Sequence, residues 1–156
     1  MKKTALYILL MVAADQVTKF LAQKFLEPLR EPLKVLPFLN LVYLRNRGAA
    51  FGILQGAGNG FFIAITLIAA VFVFFLLFKE RGRPPGLVLV LSGALGNIID
   101  RLLYGSVRDF IDFYAGRYHW PAFNLADSYL TVGIGILFVG SLLRKNRPTE
   151  AGSISF

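Results

Sequence analysis

The chain contains no cysteine, and His119 is its only histidine among 156 residues. The missing thiols exclude disulfides, thiol nucleophiles, thiolate metal sites and lipidation of this chain on its own cysteines. Acidic residues are scarce as well, with 9 Asp and Glu against 17 Lys and Arg for a net charge of +8. Internal repeats and low-complexity segments are absent from the sequence too. The few carboxylates can therefore be placed one by one.

Apolar residues are abundant. Hydrophobic types make up 56% of the chain, 15 residues are Phe and the mean hydropathy is +0.61, too oily for a soluble domain of this length. A membrane span needs about 20 mostly apolar residues. Four stretches qualify: about Thr4 to Ala22, Asn59 to Phe78, Gly86 to Leu103 and Leu125 to Leu143. The expected fold is an all-α membrane protein with four transmembrane helices, residues 1–156 forming one integral-membrane domain. The positive charge does not gather in one patch, so no nucleic acid is expected as a partner. Lys2 and Lys3 precede the first span, Lys79, Arg81 and Arg83 lie between the second and third, and Arg144, Lys145 and Arg147 follow the fourth. Four spans put all three groups on one side, which the positive-inside rule makes cytoplasmic, with both termini. Lys2-Lys3 before an apolar run ending in Ala13-Ala14 also resembles a secretory signal, but the run continues through Asp15 to Ala22 and three more spans follow. The tail from Pro148 to Phe156 reads as a short disordered end.

Two longer segments then face outward. In Gln23 to Gly58, the stretch Val35 to Leu44 is rich in β-formers; in Tyr104 to Ala122, so is Val107 to Phe113. Both predict extended chain or a small sheet on the membrane surface. Tyr114, Tyr118, His119 and Trp120 suit interfacial anchoring in the headgroup region.

The polar residues within the spans share one depth. Asp15 and Lys19, one helical turn apart, fall in the outer half of the first span and can satisfy each other as an ion pair. The last turns of the third span hold Gly93, Gly96, Asn97, Asp100 and Arg101; spacings of three and four put Gly93, Asn97, Asp100 and Arg101 on one side, with glycine allowing close helix approach. Asp127 and Ser128 open the fourth span at the outer surface, and Asp109 sits in the strand-like loop before it. A charged residue at a helix centre costs roughly 2.5–3.5 kcal/mol on insertion scales, so such residues usually have a partner or a task. Bland explanations exist for several of them: bundle glue for Asp15 with Lys19, a hydrogen-bond network for Asn97, Asp100 and Arg101, and helix capping for Asn124 with Asp127. Asp109 has no such local explanation.

A transporter would need polar groups through the full membrane depth, yet Phe61 to Phe78 and Val132 to Leu143 contain no ionisable residue. A serine–lysine peptidase would pair Ser128 or Ser106 with Lys19. A metal-dependent membrane transferase would want several clustered carboxylates.

Five stretches narrow the choice: Asp15-Gln16-Val17-Thr18-Lys19, Asn46-Arg47-Gly48-Ala49-Ala50-Phe51, Gly96-Asn97-Ile98-Ile99-Asp100-Arg101, Val107-Arg108-Asp109-Phe110-Ile111-Asp112 and Phe123-Asn124-Leu125-Ala126-Asp127-Ser128. In this order, over nearly the whole chain, they resemble the sequence blocks of bacterial lipoprotein signal peptidase, also called signal peptidase II. Arg47 departs from the small polar residue common there. The resemblance implies an intramembrane aspartic peptidase with four transmembrane helices and a small extracytoplasmic β-rich cradle. Its substrate would be a prolipoprotein carrying a diacylglyceryl group on its cysteine, cut on the amino side of that residue. Asp109 and Asp127 match the catalytic dyad. Asn46, Gly48, Asn97, Arg101 and Asn124 match the polar residues around the substrate, and Asp15 with Lys19 match a structural ion pair. The resemblance also implies no cofactor or metal, membrane lipid as surroundings, and inhibition by the cyclic peptide globomycin. It places a monomer in the bacterial inner membrane with its site near the outer leaflet.

The residue types fit this chemistry. Hydrolysis by two carboxylates needs one ionised to take a proton from water and one protonated to polarise the carbonyl; two close carboxyls share a proton because both cannot ionise cheaply.

Overall fold

The computed structural model describes residues 2–48, 58–80 and 84–145. Ala49, Ala50 and Phe51 of the second motif, the loop arginines Arg81 and Arg83, and Arg147 with the tail lie outside the described residues. Among the described residues, four helices are long and apolar enough to cross a membrane. Helix α1 (Lys2–Leu26) runs one turn beyond the predicted end, because Gln23-Lys24-Phe25 still favours helix. It stops in a 3-10 turn over Glu27–Leu29, where Pro28 cannot continue the ladder and Arg30 adopts a left-handed φ of 57°. Helix α2 spans Gly58–Lys79 and α3 spans Pro85–Tyr104. Gly105, at φ 68°, closes α3 by donating its N–H to the Arg101 carbonyl at 3.1 Å. Helix α4 spans Leu125–Lys145.

Helix α3 is the centre of the bundle. It packs against α1, α2 and α4, whereas α2 and α4 make no substantial contact with each other. Leu87, Leu91, Ala94 and Ile98 of α3 close a core with Ala70, Val73 and Leu77 of α2. The α3–α4 seam is closer and depends on glycine. A side chain at Gly86 would meet the Gly133 carbonyl at 2.8 Å, one at Gly133 would meet the Gly86 carbonyl at 2.8 Å, and one at Gly93 would strike the Ala126 carbonyl and Leu130. This approach brings the start of α4 against the last turns of α3. The other faces of α2 and α4 expose Ile68, Phe72, Phe75 and Phe138, as lipid contact requires.

The segments between α1 and α2 and between α3 and α4 form one antiparallel sheet: β1 (Leu33–Leu36), β2 (Leu39–Asn46), β3 (Val107–Ala115) and β4 (Tyr118–His119), in that spatial order. A register shift between Leu41 and Leu44 puts one extra residue in β2 opposite β3. Before it Asn40 faces Asp112, and after it Leu44 faces Asp109 and Asn46 faces Val107. Asn40 and Asn46 are an even number apart and would share a face on a regular strand. The bulge turns Asn46 onto the face of Asp109 and leaves Asn40 on the face of Asp112.

Candidate active site

Asp109 on β3 and Asp127 in the first turn of α4 meet where the sheet closes over the bundle, and three asparagines join them. Asn46 Nδ2 donates to Asp109 Oδ2 at 3.0 Å, and Asn124 Nδ2 donates to Asp109 Oδ1 at 2.7 Å. Asn97 Nδ2 donates to Asp127 Oδ1 at 2.8 Å. An amide could point either end at a carboxyl, but here each carbonyl end is held by a group that can only donate. Gly48 N–H holds the Asn46 oxygen at 3.0 Å, Asp127 N–H holds that of Asn124 at 3.1 Å, and Lys19 Nζ holds that of Asn97 at 2.9 Å. All three amides must therefore turn their N–H groups toward the carboxylates. Asn124 and Asp127 also cap α4 reciprocally, since Asn124 N–H donates to Asp127 Oδ2 at 3.2 Å. The capping explanation of Asp127 is thus correct, but incomplete: the cap is what ties Asp127 to Asp109.

Burial pushes the Asp109 carboxyl up to about 7, the negative charge of Asp127 adds to the rise, and the amides of Asn46 and Asn124 partly oppose it. Asp109 can thus hold a proton near neutrality. In the unfolded chain the same group ionises near 3.8. The folded state therefore binds the extra proton, and its advantage, full below about pH 4, is lost as pH rises through about 7. Relative to the unaltered protein, Asp109→Asn, which cannot ionise, is expected to gain several degrees of melting temperature in detergent between pH 4 and pH 8, on top of a pH-independent penalty for setting its amide nitrogen against the Asn46 or Asn124 N–H. A gap that is independent of pH would remove the assignment of the proton to this residue.

Arg101 braces the opposite wall. Its Nη2 donates to the Gly48 carbonyl at 2.9 Å, Asn59 Nδ2 donates to the Arg101 backbone carbonyl at 3.0 Å, and the guanidinium lies 4.6 Å from the Phe62 ring centre. Asp100 and Arg101 both lie on the side of Asn97, as their spacing predicts: Asp100 shares Lys19 with Asn97, while Arg101, about 100° further round, shares the cleft with it. Asp100 is wholly buried and accepts from Arg108 through Nε at 3.1 Å, Nη2 at 2.8 Å and the backbone N–H at 2.9 Å. Arg108 also donates to Gln16 and Gln23 of α1. Asp15 and Lys19 form the expected ion pair at 2.9 Å, both fully buried. Asp15 does more than neutralise Lys19: its Oδ1 accepts the Ala126 N–H of α4 at 2.9 Å, and Gly96 leaves room for it, since a side chain there would sit 2.5 Å from Asp15 Oδ2.

All nine residues singled out from the sequence lie in or directly behind this site. The roles of Gln16, Gln23, Asn59 and Arg108 were not foreseen; Gln16 and Arg108 stand inside motifs, but nothing in their spacing names their partners. Asp112 points to the other face, where it binds Asn40 Nδ2 and His119 Nδ1, each at 2.9 Å. The serine–lysine alternative fails on geometry. Ser128 Oγ donates to the Asn124 carbonyl, Ser106 Oγ to that of Tyr104, and Lys19 is taken up by Asp15 and Asn97.

A cleft of about 820 Å³ reaches the site; Asn46, Asn97, Arg101 and Asp127 line its polar end. Its walls continue along Thr66 of α2 and Leu130 and Val132 of α4, at the place where those two helices do not pack. The hydroxyls of Thr66 and Thr131 are spent on the carbonyls of Phe62 and Asp127, which leaves these walls predominantly apolar.

Residues 7–143 match the family model described as signal peptidase (SPase) II. The chain is 50% identical over 143 residues to a lipoprotein signal peptidase of Thermodesulfovibrio yellowstonii, covering 92% of this chain and 96% of that protein. It is 43% identical over 147 residues to a lipoprotein signal peptidase of Francisella tularensis subsp. mediasiatica, covering 89% and 91%. Two solved bacterial membrane enzyme structures superpose on it with TM-scores of 0.82 and 0.76, at 34% and 36% identity. They cover 98% and 91% of this chain, and it covers 95% and 94% of theirs.

Proposed function

This chain belongs to the signal peptidase II family of aspartic peptidases, multi-pass membrane enzymes that remove signal peptides from prolipoproteins, and on that premise we propose that Asp109 and Asp127 are its catalytic dyad. The observation that carries the reading is Asn124, which caps α4 through Asp127 and donates to Asp109, so that one residue ties the two carboxyls together behind the cleft that Asp127 lines. With one proton shared between them, the ionised member takes a proton from water while the hydroxyl oxygen attacks the scissile carbonyl carbon. The protonated member gives its proton to the carbonyl oxygen, which avoids a naked oxyanion. Collapse of the tetrahedral intermediate breaks the C–N bond, the amine leaves with a proton from the dyad, and the shared proton is restored.

The scissile bond is the one on the amino side of a cysteine that already carries diacylglycerol. The apolar cleft between α2 and α4 supports this, because acyl chains could stay in the bilayer while the peptide reaches the carboxyls. Asn46, Gly48, Asn97, Arg101 and Asn124 hold the dyad and the substrate backbone. The enzyme sits in the bacterial inner membrane with both termini in the cytoplasm and the sheet and dyad at the outer leaflet, as the distribution of Lys and Arg supports. It acts as a monomer and as a single domain over residues 1–156, and globomycin blocks the dyad.

Purified protein in detergent, incubated with a diacylglyceryl-modified prolipoprotein, should release the signal peptide, seen as a mobility shift that globomycin prevents. The same precursor without its lipid should remain uncut. Equal cleavage of both precursors would overturn the assignment of the lipid to the substrate.

A further inference from the structure

Lys19 is fully buried with three acceptors around its ammonium: Asp15 Oδ2 at 2.9 Å, Asn97 Oδ1 at 2.9 Å and Asp100 Oδ2 at 3.6 Å. An ion pair with Asp15 alone would not require the second contact. That contact decides which end of Asn97 faces Asp127, since an ammonium accepts nothing and must take the carbonyl oxygen. We propose that Lys19 is a positioning residue of the reaction, orienting the Asn97 amide so that its N–H reaches Asp127 and supplying the positive charge that keeps the dyad singly protonated.

The argument rests on the dyad reading and on the charges gathered here. Around the dyad stand Asp15 and Lys19 from α1, Asp100 and Arg101 from α3, and Arg108 from β3; Tyr129 is the next titratable residue on α4. Three cations meet two structural carboxylates, so the set is neutral when Asp109 and Asp127 together carry one negative charge. A buried group of charges is least costly when balanced. Removing Lys19 leaves an excess negative charge and frees Asn97 to turn its carbonyl toward Asp127, an orientation compatible only with a protonated carboxyl. Both effects make the dyad take up protons more readily.

The test uses the full purified chain and the lipid-modified prolipoprotein, with kcat and KM measured against pH. Lys19→Met should lower kcat about 10–100-fold, as for loss of a hydrogen bond to a charged group. KM should change little, and the bell of activity should move to higher pH. Lys19→Arg, which keeps the charge and donors, should bring the bell back. A Lys19→Met enzyme with reduced yield or melting temperature, but normal kcat and pH profile per folded molecule, would overturn the proposal and leave Lys19 as bundle glue. If Lys19→Met does not fold, Asp15→Asn combined with Lys19→Met removes both charges, while the new amide oxygen can still accept the Ala126 N–H. That variant should keep the kcat loss because Asn97 remains unpinned; full kcat overturns the proposal. Asp109→Asn in the same assay separates the two readings. If it is active, the dyad falls and this proposal with it; if it is inactive beside an unaltered Lys19→Met, only the proposal falls.

Discussion

Asp109→Asn and Asp127→Asn are each expected to lose activity by at least the ~10²–10⁴-fold associated with a positioned acid or base. Asparagine is nearly isosteric, so fold and substrate binding should survive, although its amide nitrogen meets an N–H where the carboxylate accepted one and some stability is lost. It cannot carry the exchanging proton. No other group stands ready to replace it: the chain has no cysteine, and its one histidine is engaged with Asp112 on the opposite face of the sheet. The double variant should be little worse than either single variant, since the two carboxyls act as one unit. Asp112→Asn is the internal control. It lies three residues along the same strand, equally buried from solvent, yet bound to Asn40 and His119, and it should retain most activity. Rates of signal-peptide release by mass-verified variants decide the matter: full activity in either dyad variant would end the assignment.

The four spans were legible because lipid leaves the sequence little freedom. Long apolar runs fix helices, and the ends of α2, α3 and α4 fall within about two residues of those read from hydropathy. Helix α1 ran further because polar helix-formers lie beyond its apolar run. Both β-rich stretches were visible from their composition, and because successive strand residues alternate, the odd spacing of Asp109 and Asp112 turns them to opposite faces. The bulge in β2 was not visible. By alternation alone Asn40 and Asn46 share a face, and the extra residue that separates them is a property of the β2–β3 pairing, which is settled only when both strands meet. The division of Asp100 from Arg101 was lost for a related reason. A helical wheel places both near Asn97, and only the turn at Gly105, which returns Arg108 to Asp100, shows that one belongs to the support and the other to the cleft. Gln16 and Gln23 gave no signal because an amide in a helix next to lipid can serve many purposes; their purpose here is fixed by the arginine they receive.

That arginine carries the largest expected effect on stability. Arg108→Leu should lower the unfolding free energy by about 3–5 kcal/mol, the cost of removing one partner from a buried ion pair. Asp100 would keep only the Arg108 backbone N–H and a more distant Lys19 at 3.6 Å. At roughly 2–4 °C per kcal/mol for a chain of this size, the apparent melting temperature in detergent should fall by on the order of 10 °C. Arg108→Lys should recover only part of the loss. Its single ammonium cannot reproduce the two-pronged grip on Asp100 together with the bonds to Gln16 and Gln23, nor stack on the Tyr104 ring, which the guanidinium meets at 4.2 Å. Arg108→Leu combined with Asp100→Asn should be more stable than Arg108→Leu alone, because the uncompensated charge is gone. If the double variant is instead no more stable than Arg108→Leu, the penalty comes from lost packing rather than from a stranded carboxylate. The distinction bears on catalysis, since Arg108 immediately precedes Asp109 on β3 and ties that strand to α1 and α3. A support whose strength lies in paired charge would hold Asp109 in place only while both partners are present.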